Sequence, residues 1–342
     1  MTLSRRRLRP LALLVMFSLT TTLTLQKWVG GATIYAPDLE AKRLVLHRAI
    51  LTNTLPAGVS SWGGMGANGI NVRIATVYAA EAIARVTHLP ILHVYRLIDT
   101  GCLALFFPLL FYFLRRWVRD EYALVGVMYT ASILPLTYFL HAFHPWDRPS
   151  LLIWLVILQL LVSEHLWAFV IALALSLLIK FDTILVPALF FLIYFRREHP
   201  WRTIAATAAL FMLTFGTFAG LVVKFPGGAS SRHIDVLLRT NLADVQALGV
   251  TYPPLLAFLL PVILAVIGFR ASDRAARACV VFAIGMTVVF LLQTNFQEVR
   301  AELSLLLLIL PSALVGLRSV LSDSSDSNFQ STSAEVQVTE AA

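Results

Sequence analysis

The segment Leu166–Phe195 reads "LWAFVIALALSLLIKFDTILVPALFFLIYF", an apolar stretch whose only charges are Lys180 and Asp182. Read as one helix, it crosses a membrane once and strands both charges near the bilayer centre, where ionisable groups cost several kcal/mol. Read as two short helices meeting at "KFDT" (180–183), it crosses twice and places the pair at a membrane face. The two readings reverse the sidedness of all that follows. The next segment, "RREHPWR" (196–202), carries three arginines, and basic loops belong on the cytoplasmic side. The two-helix reading puts them there.

The rest of the chain supports a membrane setting. Of 342 residues, 58% are hydrophobic and 13% charged, against about 25% charged in soluble domains. The net charge of +8 is carried by arginine clusters between apolar runs. No basic face interleaved with aromatics appears, so nucleic acid is not an expected partner. Cys102 and Cys279 belong to no paired motif and read as small core residues.

Apolar runs of sufficient length fall at about 10–26, 97–114, 122–140, 150–162, 166–179, 183–195, 203–223, 254–269, 278–293 and 302–318. The first is read as an uncleaved span, with both termini cytoplasmic. The connections 1–9, 115–121, 196–202 and 270–277 then carry four, three, three and three basic residues. The short external connections carry only Arg148, Lys180 and Arg300. The expected fold is all-α: a polytopic bundle of about ten spans over residues 1–318, with a large external loop at 27–96. Within that loop, "PDLEAKRLVLHRAILTN" (37–53) repeats Leu39, Leu46 and Ile50 at helical spacing, as an interfacial amphipathic helix does. "SSWGGMGANGIN" (60–71) is glycine-rich but lacks the P-loop pattern. "VRIATVYAAEAIARV" (72–86) resumes helical periodicity, with Glu81 and Arg85 at i,i+4. The serine-rich tail 319–342 has the composition of a disordered cytoplasmic segment.

This topology gathers the polar motifs on the external face: "PDLE" (37–40), "HPWDRPS" (144–150), "KFDT" and "NFQEVRAE" (295–302). Each also has a plainer reading. Asp38 suits a helix cap, Asp147 and Arg148 a solvated turn pinned by Pro145 and Pro149, and Lys180 with Asp182 a self-neutralising pair. Glu298 beside Arg300 admits the same reading. The spacing His141-x-x-His144-x-x-Asp147 invites a metal test, but Pro145 interrupts the helix that would align it and no fourth ligand is evident. No metal site is assigned.

The order of these features resembles the GT-C class of integral-membrane glycosyltransferases, which draw sugars from polyprenyl-phosphate donors. The likeness rests on "DLE" (Asp38, Glu40) in the first external loop, on Asp147 in "HPWDRPS", on Lys180 after a short apolar helix, and on Arg300 in "QEVRAELSLLLLILP". It covers most of residues 1–318. It implies inverting sugar transfer to a lipid, glycan or protein acceptor at the external face, in cell-envelope or polysaccharide biosynthesis. That face is periplasmic in a bacterium and luminal in a eukaryote, and the brief cytoplasmic connections point to a bacterial inner membrane. Asp38 and Asp147 would be catalytic. Glu40, Trp146, Arg148, Lys180, Asp182, Glu298 and Arg300 would bind substrate, with Trp62 and Trp146 offering rings for a sugar. No cofactor is required by the pattern, although D-x-E leaves a divalent cation open. Membrane lipid is the other expected partner. The same polar face also suits a transporter or flippase for lipid-linked glycans, or a non-catalytic assembly subunit.

Overall fold

The computed structural model describes residues 38–53, 73–134, 144–225, 253–293 and 303–321, with Thr21, Arg239, Leu242 and Ala243 besides. The expected span 10–26 apart from Thr21, the glycine-rich loop with Trp62, His141, the later part of the span 122–140, Glu298, Arg300 and the tail beyond 321 lie outside them.

Every element among the described residues is helical. The helices are α1 (Asp38–Leu51), α2 (Ala75–Thr87), α3 (Ile91–Leu114), α4 (Asp120–Ile133), α5 (Asp147–Val162) and α6 (Leu166–Ile179). A 3-10 turn at Phe181–Leu185 leads into α7 (Val186–Tyr194), α8 (Pro200–Lys224), α9 (Pro253–Gly268) and α10 (Arg274–Gln293). The last is α11 (Leu303–Leu321). Four of these, α3, α8, α10 and α11, are long and apolar enough to cross a membrane, the pattern of a multi-pass membrane protein. Large apolar side chains such as Leu105, Met128, Ile171, Met212, Phe215, Val266 and Ile284 stand exposed on the outside. In water such a surface would drive association; lipid matches it.

The break in the opening segment is present. Lys180 is extended (φ −162°, ψ 131°) between α6 and the 3-10 turn. Thr183 is tied back to Ser176 of α6 by hydroxyl oxygens 2.6 Å apart. The chain then reverses: Phe169 early in α6 stacks on Phe190 of α7 at 6.1 Å, a contact that a continuous helix would forbid. Tyr194, closing α7, donates its hydroxyl to the carbonyl of Leu161 at the end of α5. Thus α5 and α7 finish at the end of the bundle where α6 begins.

That end collects the arginine-rich connections. Arg116 donates to Ser163 at 3.3 Å, and Arg274, opening α10, sits on the carbonyl of Phe195. At the same end Ser272 donates to Ser312 of α11 at 3.0 Å. Here α9 and α11 touch backbone to backbone, because Gly268 and Gly316 present no side chain. A Cβ on Gly316 would lie 2.0 Å from the Leu264 carbonyl oxygen, and one on Gly268 2.1 Å from that of Ser312.

The main core joins α3 to α11 through residues such as Phe106, Phe113, Trp154, Leu158, Leu189 and Leu310. A second, smaller core forms at the opposite end. There Leu46 and Ile50 of α1, Val77 of α2 and Trp146 pack together over Ile179, the last residue of α6. The amphipathic helix expected along the interface is therefore folded onto the bundle. Its apolar residues Leu46 and Ile50 cap the short helix α6.

Candidate functional site

The local fold explains why "HPWDRPS" is not a solvated turn. Asp147 Oδ2 accepts the backbone N–H of His144 at 2.7 Å, closing the chain into the first turn of α5. Pro149 falls in that first turn, where its missing N–H removes no helical bond. The turn is then covered by α1 and α2. Trp146 is 0% exposed and Arg148 2%. His144 stacks on Trp146 with ring centroids 5.0 Å apart, and the Arg73 guanidinium sits 4.9 Å from the same indole and 5.2 Å from the Phe181 ring. Trp146, the expected sugar platform, is buried in this structure. Its ring is consumed by a histidine, an arginine and the small core, with no face left open.

Around this turn lies a buried ionic cluster assembled from several elements. Arg43 of α1 donates to Asp99 Oδ2 of α3 at 2.7 Å, both side chains being less than a tenth exposed. Arg43 also lies over the Tyr95 ring at 5.4 Å. One turn along α1, His47 places Nδ1 2.8 Å from the Tyr95 hydroxyl and Nε2 3.2 Å from Glu81 Oε2 of α2. The expected Glu81–Arg85 pair is formed at 2.7 Å. It extends the chain of contacts to the surface, where Arg85 is exposed. Lys180 pairs with Asp182 at 2.9 Å, both mostly buried. Asp147 lies within electrostatic reach of Lys180, Arg148, Arg73 and Arg43, and Asp99 within reach of Arg43 and Arg148.

Outside the apolar spans, His47 is held below the ordinary imidazole range by burial, which outweighs the attraction of Glu81. Glu81 is held below its ordinary value by hydrogen bonds from Arg85 and then His47.

Asp147, Arg148, Lys180 and Asp182 therefore come together at one end of the bundle, opposite the arginine-rich connections. Asp38 and Glu40 lie in the first turn of α1, the helix that covers this end. Glu298 and Arg300 lie outside the described residues. No group of three metal-ligating side chains occurs among the described residues.

Sequence reasoning passed over Arg43, His47, Arg73, Tyr95 and Asp99. One of them left a signal: Asp99 is the lone carboxylate in the apolar run of α3, and a charge at that depth requires a partner. The others become visible only through contacts dozens of residues away.

A buried network of this kind can hold an anionic group on its cations and a proton on its carboxylates or imidazole. No protein-family model, curated protein or solved structure matches this chain.

Proposed function

We propose that the chain is a membrane glycosyltransferase of about ten spans, moving a sugar from a polyprenyl-phosphate donor to a lipid, glycan or protein acceptor. The reading places the ionic cluster at the periplasmic face of a bacterial inner membrane and both termini in the cytoplasm. The observation that supports it most is the convergence at one bundle end of Asp99, Asp147, Arg148, Lys180 and Asp182 with Arg43 of the covering helix. Burying charges is costly, and a bundle needing only to span would bury none there.

In this reading Asp147 or Asp38 accepts the proton of the attacking hydroxyl. Lys180, Arg148 and Arg300 neutralise the departing lipid phosphate, the arginines through their planar forks. Glu40, Asp182 and Glu298 orient the sugar or these cations. If a divalent cation is used, Asp38 and Glu40 are the pair to hold it.

A second reading is favoured by the closed state of the network. Asp99, Asp147 and Asp182 each already accept an internal hydrogen bond or ion pair, as expected of a non-catalytic assembly subunit or of a transporter between cycles.

The test uses the full chain in lipid nanodiscs or vesicles with a panel of radiolabelled polyprenyl-phosphate sugars. Release of polyprenyl phosphate is expected from the parent protein. A loss of about 100-fold or more, the range for a missing acid–base group, is expected for Asp147→Asn or Asp38→Asn with unchanged thermal unfolding. Label that crosses the membrane intact, or no turnover of any donor, would reject the transferase.

A further inference from the structure

Arg43 and His47 lie four residues apart on α1, so they project from one face, and that face is turned inward: both are 5% exposed. On the same side Leu46 and Ile50 meet Val77, Trp146 and Ile179. Among the contacts that attach the helix are this apolar patch, the pairing of Arg43 with Asp99 of α3, and the bonds from His47 to both Glu81 of α2 and Tyr95 of α3. We infer that His47 is a positioning residue: uncharged, it clamps α1 onto α2 and α3 and so fixes Asp38 at the start of α1, and protonated, it lets the helix go. The chemical role of Asp38 rests on the transferase reading; the clamp does not.

Hydrogen-bond geometry gives the reason. One neutral tautomer satisfies both contacts, with Nε2–H donating to Glu81 and Nδ1 accepting from the Tyr95 hydroxyl. A protonated imidazole has two N–H groups and no acceptor. The Tyr95 hydroxyl would then have to turn its hydrogen elsewhere, in surroundings where the residue is 0% exposed. Protonation thus breaks the bond that Tyr95 gives His47 and forces a rearrangement inside a dry site, which weakens the docked state.

Among the described residues, the charged and titratable groups linked to His47 are Glu81 of α2, itself paired with Arg85, Tyr95 of α3 and Arg48 of α1, with Arg43 on the same helix face paired to Asp99 of α3. Beyond Trp146 lie Asp147 of α5 and Lys180 after α6. Glu81 draws a proton to the imidazole, whereas burial and Arg48 oppose it and prevail. The docked helix thus holds fewer protons at His47 than a released one, whose imidazole titrates near the ordinary histidine value of about 6.5. Docking is at full strength above that value and weakens as pH falls through it. Glu81, held below its ordinary range, stays ionised across the window from pH 8 to 5. Histidine is the side chain whose ordinary titration lies in that window.

The experiment is hydrogen exchange of the full chain in nanodiscs at pH 8, 6.5 and 5, corrected for intrinsic rates, with α4 as internal reference. Protection of residues 43–50 is expected to fall several-fold relative to α4 between pH 8 and 5. His47→Gln, which keeps an amide donor and acceptor but takes no proton, is expected to remove that dependence. Glu81→Gln, which removes the attraction for the proton, is expected to move the midpoint to lower pH. A flat wild-type profile, the same fall in His47→Gln, or an equal loss at every pH in Glu81→Gln would each overturn the clamp. No sugar donor is present, so failure here leaves the transferase reading standing, and an inactive enzyme leaves the clamp standing.

Discussion

Replacing Arg43 by Met and Asp99 by Leu, singly and together, tests whether the covering helix is held by charge. The two partners lie 2.7 Å apart and are almost completely buried. At an effective dielectric of 20, their direct attraction is about 6 kcal/mol. Most of that is offset by the cost of drying both ions, so the pair as a unit adds little. Removing one partner is different, because the other charge stays buried; such losses run to about 3–5 kcal/mol. Arg43→Met and Asp99→Leu are each expected to lower unfolding stability by that amount, whereas the double variant, of similar volume, should lie within about 1–2 kcal/mol of wild type. The assay is denaturation in mixed micelles, followed by tryptophan fluorescence, with the four proteins arranged as a double-mutant cycle. Single variants within about 1 kcal/mol of wild type, or a double variant as unstable as the sum of the singles, would refute the pairing.

Two further predictions concern packing. Gly316→Ala places a Cβ 2.0 Å from the Leu264 carbonyl oxygen and 2.9 Å from the Gly268 nitrogen. Backbone lies on both sides and cannot rotate away, so α9 and α11 must part. A loss of about 1–3 kcal/mol or more should appear as a lower unfolding temperature. Trp146→Ala removes the largest side chain from the small core under α1. A loss of about 3–5 kcal/mol is expected, with protease cleavage inside α1 as its local reporter and unchanged sensitivity in α10 as the control.

Much of the helical order was legible because apolar runs and charge placement are local signals. Lys180 and Asp182 interrupt an apolar stretch, and the cost of burying them alone requires the break. The structure adds the Thr183–Ser176 tie and the reversal of direction. The ionic cluster was only half legible. Asp147, Lys180 and Asp182 sit at helix ends, where sequence flags them. Arg43 and Asp99 are 56 positions apart, and His47 lies 34 and 48 positions from its two partners. No local periodicity reports such pairings. The burial of Trp146 and Arg148 was missed for a related reason. A turn between apolar runs reads as exposed unless the long segment before it folds back over the helix ends, and α1 does so here. Asp38 and Arg300 stay with the sequence argument, since their side chains fall outside the described residues.

The short helix α6 has a consequence for the surrounding bilayer. Its 14 residues rise about 21 Å, well short of a hydrocarbon core about 30 Å thick. A bilayer crossed by α6 would have to thin beside it, whereas α3 and α8 are long enough to span one unthinned. At the Ile179 end, the helix that makes up the missing height is α1, whose Leu46 and Ile50 pack with Trp146 over the end of α6.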